Sequence, residues 1–463
     1  MSYKNSLLCG AGVSLALALG LGAPAYAKPV KHHHHAAAAA APDPKEEEIR
    51  ELREQNATLN ARLSAVEGVM LQTQAAAQQA QAAATQTQAA QAQVAAQTAD
   101  EIKRIPGEVK TAVAAIPKPK PGWEGSTSVT GRMYYDASNI EQKSNGVTVP
   151  GGPNGTNFDI KRFYIGIDHK FNDTFSANIT TDFNYDSGPA GATQLYIKKA
   201  YLQAKLSDAL TFRLGSADLP WIPFVEDIYG YRYVEYVMID RDKFGTSADW
   251  GVHALGKLPL GNMVTLNYAF AAINGQGYKK PGFIGGVNRS NDVDFEGRVS
   301  ANVSNFTFAV GGYDGKLGNA VQGTPTYQNA QRFDALAAYV DKRIRLGGEY
   351  FYAKAWADVK QSNPLLVNAS EGWSGFGSFK FTDQIGVFGR YDWVKPKKTT
   401  APTFVDNYFN LGVSYSPAKI VDFALVYKRD KIDNGSLSTQ NGTIGGSANG
   451  TYDEFGLWGQ FRW

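Results

Sequence analysis

The chain has 463 residues, 12% of them aromatic, a net charge of +3 and a mean hydropathy of -0.31. So small a charge gives no argument for a nucleic-acid partner. Beyond the first 27 residues no window offers 18 apolar residues free of charge, so no helical membrane span is expected.

Lys4, the apolar run Leu7 to Leu21 and the small-x-small site Ala25-Tyr26-Ala27 read as a secretory signal peptide over 1–27, with the mature chain starting at Lys28. The only cysteine, Cys9, lies inside it, preceded by Leu8 rather than by a small residue, which argues against a lipoprotein signal. The mature chain is then cysteine-free and has no disulfide framework. Residues 28–44 are a low-complexity linker with His32–His35, an alanine run, Pro42 and Pro44. The histidines are metal-ligating in type, but no metal site is assigned to them.

Residues 45–104 carry a heptad pattern. Ile49, Leu52, Asn56, Leu59, Leu63, Val66 and Met70 are spaced alternately three and four apart, as a and d positions of a coiled coil are. Asn56 on an a position would set register. From 71 to 99 the chain turns to Ala, Gln and Thr, which remain helix-prone but offer a thin seam; a single exposed helix is the other reading. Pro106 is expected to stop the helix, and Pro117, Pro119 and Pro121 to stiffen a linker over 105–122.

From residue 123 to 463 the texture changes to short alternating runs rich in Tyr, Phe, Val and Thr. Strands are expected near 123–138, 158–170, 174–186, 194–206, 210–217, 246–257, 262–275 and 291–303. Eight more are expected near 305–314, 331–342, 343–357, 372–382, 384–395, 406–416, 420–431 and 452–463. Phe175, Ala177, Ile179, Thr181 and Phe183 share one face of a strand, while Ser176, Asn178, Thr180 and Asp182 share the other. Val293, Phe295 and Val299 likewise oppose Asp292, Asp294, Glu296 and Arg298. Polar faces beside apolar ones, in an even number of strands with alternately short and long connections, predict an all-β fold. The expected architecture is a 16-stranded antiparallel transmembrane β-barrel preceded by a periplasmic α-helical coiled coil.

The last strand carries the membrane reading furthest. Phe455, Leu457, Phe461 and Trp463 form an apolar face opposite Glu454, Gln460 and Arg462, with Trp458 as the exception. The edge strand of a soluble sheet would alternate in the same way, but a terminal aromatic after a secretory signal suits an outer-membrane barrel. Phe461 and Trp463 are then the expected signal for the barrel-assembly machinery. Outer-membrane lipid is the expected surround, and both ends of the barrel chain are expected in the periplasm of a Gram-negative bacterium.

Sixteen strands leave a water-filled interior. The longest connection, 218–245, is rich in Trp, Phe and Tyr and should pack rather than wave in water, so it is the expected constriction. Arg232, Arg241 and Lys243 are its candidate solute contacts, although Glu235, Asp240 and Asp242 stand close enough to pair with them. Arg162, Lys199, Arg213, Arg298, Arg345 and Arg390 are the candidate lumen cations, since alternation turns them inward. No catalytic motif stands out and no cofactor is implied, so the chain is read as a diffusion channel for small hydrophilic solutes rather than as an enzyme. The alternative is a structural barrel whose coiled coil reaches the cell wall or a periplasmic partner.

Certain motifs resemble those of the phosphate-selective porin family, the porin O and P type. Arg162 to Gly166 opens a strand. Ile197-Lys198-Lys199-Ala200-Tyr201 is similar to that family's I-x-D-A-Y strand. Leu214-Gly215, Pro223-Phe224 and Glu226 are similar to its G-Q…P-F…E approach to the third loop. Lys199 stands where the family often has Asp, and Ser216 where it often has Gln. The resemblance implies a homotrimeric pore that passes anions such as phosphate.

Overall fold

A computed structural model of the protein describes residues 44–115, 126–150, 153–185, 193–279, 289–446 and 448–463. The expected signal peptide, the histidine run and the Pro117–Pro121 segment lie outside these residues. The chain divides into two units, Met1–Ile116 and Pro117–Trp463.

The first unit is one helix, α1 (Pro44–Ala115), 72 residues long. Pro44 suits a first helical position, where a missing N–H costs nothing. The helix does not end at Pro106. A proline there removes one backbone bond and costs about 3 kcal/mol. Good helix formers, among them Lys103, Arg104, Glu108, Lys110 and Ala112, flank it on both sides and carry the helix through. Ile49, Leu52, Leu59 and Leu63 are at least half exposed, so none of the described residues covers this part of the heptad seam.

The second unit is a closed antiparallel barrel of 16 strands. They are β1 (Thr127–Ser144), β2 (Gly155–Lys170), β3 (Phe175–Tyr185), β4 (Thr193–Lys205), β5 (Thr211–Asp218), β6 (Ala248–Leu260), β7 (Val264–Ile273) and β8 (Asp294–Val303). The second half comprises β9 (Phe306–Gly315), β10 (Ala330–Val340), β11 (Ile344–Lys354), β12 (Ala369–Lys380), β13 (Ile385–Lys395), β14 (Val405–Ala418), β15 (Val421–Asp433) and β16 (Gly450–Arg462). Each expected strand is present, most within two or three residues of its expected bounds; β1 begins and ends later than expected and runs to Ser144. The barrel closes where β16 pairs with β1, from Arg132↔Arg462 to Ser144↔Gly450. Gly131 and Trp463 exchange both backbone bonds at 3.1 Å, so the barrel chain begins and ends at one rim.

That rim also carries the short turns, and their chemistry is local. Asn172 accepts from the backbone N–H groups of Thr174 and Phe175 at 2.9 and 2.8 Å, and Asp341 from those of Arg343 and Ile344 at 2.7 and 2.6 Å. Side chains that bond two or three residues ahead pin a tight turn without help from the rest of the fold. Long connections occupy the opposite rim, the last of them carrying a short ribbon, Ser436–Thr439 with Gly442–Gly445.

Alternation sets the two faces. Phe295, Val299, Leu425, Phe455 and Leu457 point out and are exposed, while Asp294, Glu296, Arg390, Asp392, Lys428 and Glu454 point in and are buried. Trp458 keeps the register of its strand and turns inward, fully buried, with the Lys428 ammonium 4.1 Å from its ring centroid. Among the described residues no helix is long and apolar enough to cross a membrane. The hydrophobic core lies inside the barrel, between its wall and the connection 219–247.

Candidate functional site: the inner loop and the passage beside it

The connection 219–247 folds into the lumen. It contains α2 (Ile222–Tyr229) and the single turn α3 (Met238–Arg241). Gly230 ends α2 at φ +79° and returns its N–H to the Glu226 carbonyl, a left-handed cap that glycine adopts without strain. Trp221, Ile222, Val225, Tyr229, Val237, Met238 and Ile239 are all but fully buried. They pack on Leu336, Phe351, Phe376, Phe388, Ala424 and Val426, which point inward from β10, β11, β12, β13 and β15. The wall is thus apolar on both faces where the loop covers it.

Polar groups fix the loop at both ends. The Trp221 backbone N–H donates to Glu296 at 3.0 Å, and its indole N–H to Glu349 at 2.7 Å. Arg298 donates to the Pro220 carbonyl at 2.8 Å and lies 3.8 Å from the Phe224 ring centroid. Arg345 donates to the carbonyls of Asp227 and Ile228, each at 2.9 Å. Tyr231 stacks on Phe388 at 3.9 Å. Lys428 donates to the Val234 carbonyl at 2.9 Å and stands 3.3 Å from Glu235 and 3.1 Å from Glu454. Burial pushes the Glu235 carboxyl up, but Lys428 and Lys161 outweigh it and hold it at about 2.

Arg241 is the far anchor. Its fully buried guanidinium donates to Asp430 and Asp406, both at 2.6 Å, and lies 3.1 Å from Asp242 and 3.5 Å from Asp392. Arg390 chelates Asp392 and sits 5.0 Å from the ring centroids of Tyr229 and Tyr408. Lys243 is exposed at the long-loop rim, where its ammonium donates to Ser438 at 2.8 Å. Of the expected lumen cations, Arg298, Arg345 and Arg390 therefore hold the loop to the wall, and Arg241, expected as a solute contact of the loop, anchors it instead and is fully buried.

The other half of the lumen stays open, between the loop and β1–β5. A cavity of about 750 Å³ runs up from the short-turn rim, bounded there by Lys419 and Arg462 and lined further in by Arg132, Tyr134, Lys199, Arg213, Asp218, Glu226 and Asp227. A second, of about 210 Å³, continues towards the long-loop rim past Arg162, Tyr236, Asp240, Thr246, Tyr278, Lys279 and Gln440. Tyr164, Lys198 and Arg232 line both, so they stand at the junction. The larger depression of about 910 Å³ lies on the outer wall among Phe306, Phe308, Leu346, Tyr391 and Leu411 and is no part of this passage.

Two β-bulges shape its charge. Tyr134 pairs with Arg162 but Tyr135 with Ile160, which leaves Lys161 as an extra residue. Thr180 pairs with Lys199 but Thr181 with Ile197, which leaves Lys198 extra. Strict alternation would turn Lys161 and Lys198 outward; the bulges re-aim them, so that two adjacent pairs of cations face the lumen. The sequence reading missed both lysines.

Most of these cations are matched. Lys161 meets Asp136 at 3.0 Å, Arg162 meets Asp182 at 3.0 Å, Lys199 meets Asp218 at 3.0 Å, and Arg232 pairs with Glu226. Lys198 forms no ion pair among the described residues; its ammonium lies 3.5 Å from the Tyr164 hydroxyl and 4.7 Å from that ring's centroid. Arg232 stacks at 3.8 Å on Tyr236. On the loop side, burial pushes the Asp240 carboxyl up to about 6, with Arg232 offsetting part of the shift. His169 bonds Thr127 at 2.8 Å and His253 is buried on β6; among the described residues no cluster suits a metal ion.

Residues 128–222, from β1 to the first residue of α2, match the family described as phosphate-selective porin O and P, the family that the strand motifs resemble. No curated protein matches the sequence. Among solved structures the chain is similar to an anion-selective porin from Comamonas acidovorans. The TM-score is 0.53 at 13% identity, over 73% of this chain and 99% of that one. It is also similar to the in-vitro folded trimer form of OmpT, an outer membrane protein of Vibrio cholerae (TM-score 0.49, 12% identity, 73% and 99% covered). A third is OmpF of Salmonella typhi in complex with daunomycin (0.47, 11%, 73% and 97%). At 13% identity the likeness to the Comamonas acidovorans porin is one of fold.

Proposed function

We propose that the chain is an outer-membrane porin through which small hydrophilic solutes, small anions among them, diffuse passively. The observation that carries this reading is the inner loop. It is fixed to one half of the wall by a buried core and buried ion pairs, and it leaves one charged passage along the other half. A barrel of this size encloses water unless something fills it, and a loop held inside narrows the water to a defined path. The outward face supports a membrane setting. It is apolar along the strands, and exposed aromatics such as Phe171, Phe306, Phe381, Tyr415 and Trp463 stand beside the short turns and the closing strand, where an interfacial girdle belongs.

In this reading Arg162, Lys198, Lys199, Arg213 and Arg232 face the solute, while Arg241, Arg298, Arg345 and Arg390 fix the loop and Lys243 sits at the outer mouth. Phe461 and Trp463 are the assembly signal. The short-turn rim faces the periplasm; α1 is periplasmic as well and pairs its seam with those of two other subunits in a homotrimer. Purified protein added to a planar bilayer should give discrete conductance steps, with a reversal potential in a salt gradient that reports preference for the anion. Folded protein that inserts and never conducts would overturn the proposal.

A further inference from the structure

We infer that the narrow part of the passage is built for small zwitterions, solutes with a carboxylate at one end and an ammonium at the other, and discriminates against neutral solutes of the same size. The inference rests on the channel reading above and deepens it.

The charges that matter are those left after local pairs are set aside. Lys161, Arg162, Lys199 and Arg232 each have a carboxylate within a few ångströms and present little net field. Two ammonium groups remain at the upper cavity, and among the described residues neither forms an ion pair. Lys198, on the wall, is 5.9 Å from the ring centroid of Tyr278, and Lys279, on the connection after β7, is 6.0 Å from the same centroid. The two cations therefore flank one tyrosine, whose ring gives them electrostatic company but no neutralising charge.

The inner loop presents the opposite sign. Asp240 lines the same 210 Å³ cavity and is nearly buried. Its carboxylate accepts from the Gln440 amide at 3.1 Å, and among the described residues it forms no ion pair. Just below, Asp227 on the same loop lines the lower cavity, also without an ion pair among the described residues. The passage thus carries unmatched positive charge on the wall and the outer connection, and unmatched negative charge on the loop. A plain anion gains from Lys198 and Lys279 but meets Asp240; a plain cation meets the reverse. Only a solute bearing both charges is attracted on both sides, and charges in a confined, partly desolvated site act more strongly than in bulk water. The volume suits a solute of a few heavy atoms, since water in the liquid takes ~30 Å³ per molecule.

Glycine and glycolamide are isomers, one zwitterionic and one neutral, and their entry into proteoliposomes of the full chain can be compared by swelling. Glycine should enter several-fold faster. Asp240→Asn and Lys198→Gln should each bring the ratio down towards one. Lowering the pH to 5 should do the same in the unaltered protein, because it discharges Asp240, whose charged surroundings are Arg232 and Glu226 on the loop, Arg162 and Lys198 on the wall, and Lys279. The pH arm needs no variant to fold. Equal entry of the two isomers, or a ratio that neither the variants nor pH alters, would overturn the inference while leaving the channel intact. If neither isomer enters, the channel reading fails as well.

Discussion

Replacing Arg241 with leucine takes one guanidinium away from four carboxylates. Asp392 keeps Arg390, and the Ser374 hydroxyl at 2.6 Å. Asp406 and Asp430 lose the 2.6 Å bonds that Arg241 gives them, and both are fully buried. Breaking a buried pair by removing one partner costs about 3–5 kcal/mol. At about 1.4 kcal/mol per decade, that shifts an equilibrium by roughly two to four powers of ten. The cost falls on the docked state of the loop, not on the strand ladder. Arg241 belongs to the loop, and the wall carboxylates regain water once the loop tip leaves. The Trp221 end stays fixed by Glu296, Glu349 and the core. The variant should therefore assemble but show a higher mean single-channel conductance and more open-channel noise. Asp242→Asn should do little by comparison, because Asp242 stands 3.1 Å from the guanidinium while Asp406 and Asp430 take its 2.6 Å bonds. Unchanged conductance and noise in a folded, heat-modifiable Arg241→Leu protein would refute the idea that this cluster holds the constriction.

Asp240 gives the channel a pH dependence of known sign. Its carboxyl is pushed up to about 6, so acidification through that value removes a negative charge from the passage. The anion-over-cation preference, read from reversal potentials, should rise between about pH 8 and about pH 5, and a flat profile would place Asp240 outside the ion path. Lys198→Gln should lower anion preference more than Lys161→Gln does, since Lys161 is already matched by Asp136; equal effects would show that pairing does not decide the selectivity. Leu59→Cys, in a chain whose only other cysteine is Cys9, should crosslink subunits under oxidation if the α1 seams meet. An intact trimer without crosslinks would assign the helix to another partner.

Strand number, order and facing were readable because a wall with water on one side and an apolar medium on the other writes itself as alternation. Even Trp458, the residue out of pattern, follows the register and finds Lys428 inside. The lumen cations were harder to place. Lys161 and Lys198 depend on bulges, and a bulge is one extra residue in a pairing that only the partner strand reveals. Arg298, Arg345 and Arg390 point inward as expected, but whether an inward cation meets solute or loop depends on where 219–247 lies. A signal for that was present and unused: Leu336, Phe351, Phe376, Phe388 and Val426 fall on the inward face of their strands, where water alone would call for polar residues. Together they mark the half of the wall that the loop covers. Pro106 misled for a different reason, since local propensity outweighed one lost hydrogen bond.

In the proposed channel, solutes pass between the inner loop and β1–β5 and nowhere else in the lumen. Cysteine at Lys198 tests this path directly during single-channel recording, with cysteine at Leu336, behind the loop, as its counterpart. A bulky thiol reagent should block the current stepwise in the Lys198→Cys channel and leave the Leu336→Cys channel open and unlabelled. Block at position 336, or full current through a channel shown to be labelled at position 198, would put the solute path on the other side of the loop.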